Sequence, residues 1–213
     1  MFKTRPICVA FIIICAFFFS GCDKKTSDEI DFGVVENSVY RNQYFGFSIH
    51  IPPDWSIIHD QETLQSIMNK GAEIVIKEDK HNDDVLKASE LQMVVFFIAS
   101  KYSVISDPSI NCLADNVRHV PVIKRGKDYL FHVKNDLEAG KIEVSFPKEI
   151  YTETLGGIDF DVLNAQMSFA GPTIKQKQYV TVMKGYAVVC TVAFKNYNEE
   201  AELDEILNSI EFN

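Results

Sequence analysis

Positive charge is scarce in this 213-residue chain, where 21 Lys and Arg stand against 30 Asp and Glu for a formal net charge of −9. Nucleic-acid partners demand clustered Lys and Arg to neutralise phosphates, so this balance argues against them. Chemical motifs are equally few. No Gly-rich phosphate loop occurs, and the five histidines (His50, His59, His81, His119, His132) show neither H-x-x-x-H spacing nor a C-x-x-C partner. Long apolar runs are missing too. Ile7 to Phe19 spans 13 residues, whereas a bilayer core needs about 20. What is present is an ordinary globular composition, 46% hydrophobic, 12% aromatic and 24% charged, which excludes disorder throughout. The length allows one domain or two small ones.

The short apolar run has its own meaning. Lys3 and Arg5 precede it, and the small residues Ser20 and Gly21 follow it, directly before Cys22. A charged n-region, an h-region of this length and a small-residue site make a secretory signal. With Cys22 at the cleavage point, residues 1–21 resemble a bacterial lipoprotein signal peptide, although Phe19 stands where that family prefers an aliphatic residue. The resemblance implies lipid attachment at Cys22, through acyl chains such as palmitate, and a domain exported to the cell envelope on the periplasmic side. Asp23 resembles the inner-membrane retention signal of enteric bacteria. A plain secretory signal or a retained short anchor remains the alternative. Two or more chains hold a protein at a bilayer where one exchanges. Residues 22–37 are polar and lack clear periodicity, as a flexible linker should. An acidic domain on that tether is expected to stand off anionic headgroups.

Export leaves Cys112 and Cys190 as the only thiols beyond Cys22. A bridge between them would close a loop of about 79 residues, with about 4 kcal/mol of entropic stabilisation. Their pairing stays open, because sequence does not give the Cα separation a bridge requires. Cys190 lies in a strand pattern, which favours a small buried hydrophobe.

Residues 38–213 read as one domain. Phe45, Phe47, Ile49 and Ile51 alternate with smaller or polar residues, the period of a strand, with Val39-Tyr40 as hairpin partner. Asp60 can cap a helix carrying Leu64, Ile67 and Met68, stopped at Gly71, with a weaker strand at Glu73–Lys77. Met93–Ile98 is a continuous apolar run, expected to be buried on both faces. Leu130, Val133 and Leu137 mark a second helix. Strands at Ile142–Tyr151 and Ile158–Ala165 flank Gly156-Gly157, and strands at Tyr179–Met183 and Tyr186–Phe194 flank Lys184-Gly185. Asn196 and Glu199 are spaced as a capping box for a final helix with Leu203, Ile206, Leu207 and Ile210 on one stripe. Ser209–Phe212 is expected to add an edge strand. The expected fold class is α+β, an α/β/α sandwich with a mostly antiparallel sheet of about six to eight strands and helices on its faces.

The stretch Tyr40-Arg-Asn-Gln-Tyr-Phe-Gly-Phe-Ser-Ile-His-Ile-Pro-Pro-Asp-Trp55 resembles the opening of the PsbP-like, Mog-type α/β-sandwich domains, whose first strand ends in Pro and Trp. Gly156-Gly157, Gln178-Tyr179 and the closing Ser-Ile-Glu-Phe are similar to the family's second half. Trp55 is expected as a large anchor beneath the first helix, its indole N–H seeking an acceptor. The resemblance implies a non-enzymatic protein, since members include extrinsic photosystem subunits, a factor for a small GTPase and envelope proteins. It implies a protein partner, and the residues themselves nominate no cofactor and no metal site. Fold alone does not assign function.

Residue chemistry offers one alternative, a metal-dependent or serine-type envelope hydrolase. Gly46-Phe47-Ser48-Ile49-His50 comes close to a nucleophile elbow, but it ends in His and lies inside a strand, so ordinary strand residues are favoured. Glu78–Asp84 supplies carboxylates and His81, yet lacks the Gly and terminal Glu of a calcium loop. Arg118, Lys124, Arg125 and Lys127 form a basic cluster, better read as a solvated face than as an anion site. The reading favoured by all these features is a membrane-anchored, non-catalytic binding or accessory module for another envelope protein.

Overall fold

The computed structural model describes residues 30–75, 93–102, 108–139, 143–168 and 173–213. Its strands form two antiparallel sheets. The smaller has the order β1 (Val34–Glu36), β2 (Val39–Asn42), β3 (Phe47–His50) and β12 (Glu211–Phe212). The larger runs β4 (Ser56–Ile58), β5 (Met93–Ser100), β6 (Ser109–Asn116), β11 (Tyr186–Phe194), β10 (Thr173–Met183), β9 (Ile158–Ser168) and β7 (Glu143–Ser145), with β8 (Tyr151–Leu155) also on β9. Three helices accompany them among the described residues: α1 (Gln61–Val75), α2 (Gly126–Ala139) and α3 (Tyr197–Asn208).

This overturns the expected α/β/α sandwich. The molecule is a β-rich sandwich in which the smaller sheet, with α3, closes one face of the larger. The physical reason lies in residues 45–51. Phe45, Phe47, Ile49 and Ile51 are buried while Ser48 and His50 are not, so β3 has one wet face and builds an outer layer. Its aromatic face joins Tyr40, Phe96, Phe97, Phe160, Tyr179 and Phe194 in one core. On the other side of the large sheet, α2 and the turns before it pack Val117, Ile123, Leu130, Val133 and Leu137 against Leu163, Val180 and Val189. Beside them Leu64, Ile67 and Met68 of α1 meet Val95 and Ile98.

The central strands follow from their sequences. In β11 Val188, Cys190, Val192 and Phe194 face the aromatic layer, whereas Ala187 and Val189 face α2. The apolar run of β5 is likewise buried on both sides. A bulge between Val95 and Phe97 places one extra residue, so Phe96 and Phe97 both enter the aromatic layer. Both predicted two-residue hairpins are present. Gly156 and Gly157 have φ of 57° and 82°, and Lys184 and Gly185 have 53° and 80°, the left-handed pair these turns need.

Several expectations require correction. Helix α1 continues through Gly71 to Val75, so Gly71 is no stop and Glu73–Val75 is helical rather than strand. One interior glycine costs only about 1 kcal/mol relative to Ala. The strand expected at Ile142–Tyr151 is split between β7 and β8, with Pro147, which has no N–H for a ladder, in the gap. Val34–Glu36, read as linker, pairs with β2 as β1. Trp55 packs with the α3 cluster and not beneath the first helix. Strand β6 had no expectation at all. Its Asn111, Asp115 and Asn116 are poor strand formers, but the alternation of buried Ile110, Cys112 and Ala114 is present.

The cysteines give the largest correction. Cys112 and Cys190 form a disulfide, and the reading of Cys190 as a lone buried hydrophobe fails. They are directly opposed on the adjacent strands β6 and β11, with Cα atoms 4.3 Å apart. Sequence could not show this, since the residues are 78 positions apart and the register depends on the intervening strands.

Candidate functional site

Segment 117–125 leaves β6 through two tight turns, closed by Val120 N–H on Val117 O and Ile123 N–H on Val120 O. Val117, Val120 and Ile123 turn inward, leaving Arg118, His119, Lys124 and Arg125 exposed. Arg118 reaches across the end of the sheet. Its guanidinium lies over the Tyr186 ring at 4.8 Å, donates to Tyr44 Oη at 3.0 Å and donates to Lys184 O at 3.2 Å. Lys184 donates to Tyr44 O and sits 5.2 Å from the Tyr44 ring. Tyr44 and Tyr186 meet edge to face at 6.0 Å, with Phe45 behind them. A side chain at Gly185 would collide with Arg118, so the turn glycine also makes room for the guanidinium.

Backbone N–H groups donate to three carboxylates near this segment. Asp128 accepts from Lys124 N–H and Arg125 N–H at 3.0 and 3.1 Å, and Asp161 accepts from Lys127 N–H at 2.7 Å. Asp31 holds Gly33 N–H and Gln43 N–H. The structure therefore redraws the basic cluster. Arg118 gains Lys184 and Tyr186, which the sequence places in a turn and a strand, and Tyr44, which it places in neither. A Tyr44 three residues before a strand and a Lys in a hairpin turn carried no joint signal. Exposed guanidinium and ammonium groups stacked on rings suit an anionic or planar polar surface.

The opposite end differs in charge. Trp55 Nε1 donates to Glu202 Oε1 at 3.2 Å, and Lys101 Nζ meets the same carboxylate at 2.6 Å. Lys177 lies between Glu200 at 2.8 Å and Asp204 at 3.2 Å. Burial disfavours its ammonium, but the two carboxylates outweigh this and hold its pKa above the lysine range. In the cap of α3, Asn196 accepts from Asn198 N–H and Glu199 N–H, while Glu199 accepts from Lys195 N–H.

Ser48 occupies a regular position in β3, between Arg41 of β2 and Glu211 of β12, and not a strand-to-helix turn. Cys22 and the Glu78–Asp84 loop with His81 lie outside the described residues. Among the described residues no group of three His, Cys, Asp or Glu is disposed to hold a metal ion. Asp115, on β6, is the strongly perturbed acid. Burial raises its pKa to about 6, against the hydrogen bond from Tyr129 Oη at 3.3 Å.

No family model matches the sequence, and no curated protein matches it either. In structure the chain is similar to CyanoP, the cyanobacterial PsbP of Synechocystis sp. PCC 6803, with a TM-score of 0.50 at 12% identity over 85% of this chain and 96% of that one. The fold is PsbP-like. A protein of unknown function from Pseudomonas aeruginosa (TM-score 0.39, 10% identity, 55% of this chain and 78% of that one) shows a weaker likeness. So does one from Bacteroides thetaiotaomicron (0.42, 14%, 79% and 45%). At these identities the PsbP-like likeness concerns the fold, and the resemblance of Tyr40–Trp55 to that family's opening agrees with it.

Proposed function

We propose that this chain is an exported lipoprotein, anchored by acyl chains on Cys22, whose domain serves as a non-catalytic accessory module for another envelope protein. The PsbP-like fold carries this reading: an aromatic core fills the space between its two sheets, and Arg118 and Lys184 stand exposed at one end. The Cys112–Cys190 bridge supports export, since such pairs persist in oxidising compartments and are rare where thiols are kept reduced. Placement in the inner membrane follows the Asp23 resemblance.

Chemical crosslinking of the full chain in native membranes tests the proposal. The expected result is one envelope protein that re-forms the complex when both are purified. Absence of any such partner overturns the accessory role. Mass spectrometry of the mature chain tests the anchor, and an unmodified Cys22 or an intact Met1 overturns it. For the metal-dependent alternative, a thermal shift with millimolar divalent cations is the deciding result.

A further inference from the structure

The two ends of the large sheet carry different side chains. Exposed Arg118 and Lys184 share one end of the large sheet, and exposed Lys124 and Arg125 follow on the segment that leaves it. Glu199, Glu200 and Glu202 mark the other end, beside Trp55 and Lys101. Register shows that these ends are opposite. On β6 and β11 the Asn116–Tyr186 pair lies at the first, and the Ser109–Ala193 pair at the second. Seven residue steps of strand separate them, about 23 Å.

The chain enters the fold at the basic end. Ile30 packs partly against the aromatic core, Asp31 O accepts from Asn42 Nδ2 at 2.7 Å, and Asp31 Oδ2 accepts from Gln43 N–H at 3.0 Å. Gln43 adjoins Tyr44. Eight residue steps separate Cys22 from Ile30, which reach at most about 28 Å extended and about 16 Å as a flexible coil. As a coil that leash is shorter than the sheet, so a bilayer holding Cys22 lies nearer the end bearing Arg118 and Lys184.

Resting on the lipid-anchor reading of Cys22, we infer that this end seats the domain on an anionic phospholipid surface. Arg118 and Lys184 contact the headgroup phosphates, and Trp55 and Glu202 point away from the membrane. The overall repulsion of an acidic domain is thereby turned into an orientation, with the carboxylate-rich end held outward.

Covalent labelling of the full, lipidated chain in protein-free vesicles tests this. An amine-reactive, membrane-impermeant reagent is applied with phosphatidylcholine alone, or with one-third phosphatidylglycerol. The expected result is a fall in Lys184 and Lys124 labelling of about threefold or more on adding the anionic lipid. Lys195, near the far end, should not change. The protection should vanish in about 0.5 M salt, and that of Lys124 also in the Arg118→Glu/Lys184→Glu variant, whose thermal melt serves as the folding control. Equal labelling at both ends in both vesicles overturns the inference. Protection seen in native membranes but not in protein-free vesicles also overturns it, and makes the surface a protein-docking face. If the chain does not float with either vesicle and Cys22 is unmodified by mass spectrometry, the anchor reading has failed and takes this inference with it. Flotation without protection removes only the inference.

Discussion

The two faces of the large sheet are covered by different means. One is closed by the smaller sheet and α3 over Tyr40, Phe96, Phe97, Phe160, Tyr179 and the Cys112–Cys190 bridge. The other is closed by α1 and α2 over aliphatic side chains and carries Asp115 at its margin. Rigid rings and a covalent tie lock residues far apart in sequence on the first face. The second relies on local helices laid over branched side chains, and it tolerates a poorly solvated carboxylate. The first face should therefore be the more sensitive to truncation.

Removal of the bridge in a Cys112→Ala/Cys190→Ala variant should have the largest effect. The unfolded chain regains the freedom of a long loop, and denaturant melts should show a loss of about 4 kcal/mol. Next, Phe97→Ala should cost about 3.5 kcal/mol and Leu130→Ala about 2.5 kcal/mol by the same measurement, since both side chains are fully buried. Equal or reversed values would abolish the contrast between the faces. Asp115→Asn is expected to act in the opposite sense. Its folded pKa of about 6 lies above the unfolded value, so its contribution is fully present in acid and is lost as pH rises from about 4 to 6. At neutral pH the substitution should stabilise by on the order of 2 kcal/mol, and it should flatten the stability profile between those two pH values. The smallest effect belongs to Glu202→Gln. Its partly exposed pairing with Lys101 is worth less than about 1 kcal/mol, and the amide oxygen still accepts from Trp55.

Local pattern revealed much of the fold. Alternation at 45–51, the two hairpin turns, the apolar stripes of α2 and α3 and the Asn196 cap are all present where residue spacing places them. Layer assignment was hidden, because whether Phe47 meets a helix or a sheet depends on partners far along the chain. Cys112 and Cys190 were invisible as a pair for the same reason. The Tyr44–Arg118–Lys184–Tyr186 assembly joins three separate segments, of which only Arg118 stood out, as a member of a different cluster. Short-range periodicity reports what a side chain wants to be buried in, but not which element supplies the burial.

Strand β12 carries a consequence for how the molecule assembles. Phe212 lies opposite Phe47, and Ser209 Oγ accepts from His50 N–H across 159 positions of sequence. The outer sheet, although begun by residues 34–50, cannot gain its fourth strand until residues 211 and 212 are synthesised. Loop closure on that scale is slow. Until then Phe47 and Phe160 lack the Phe212 ring that packs on both, so the aromatic layer is completed late in folding.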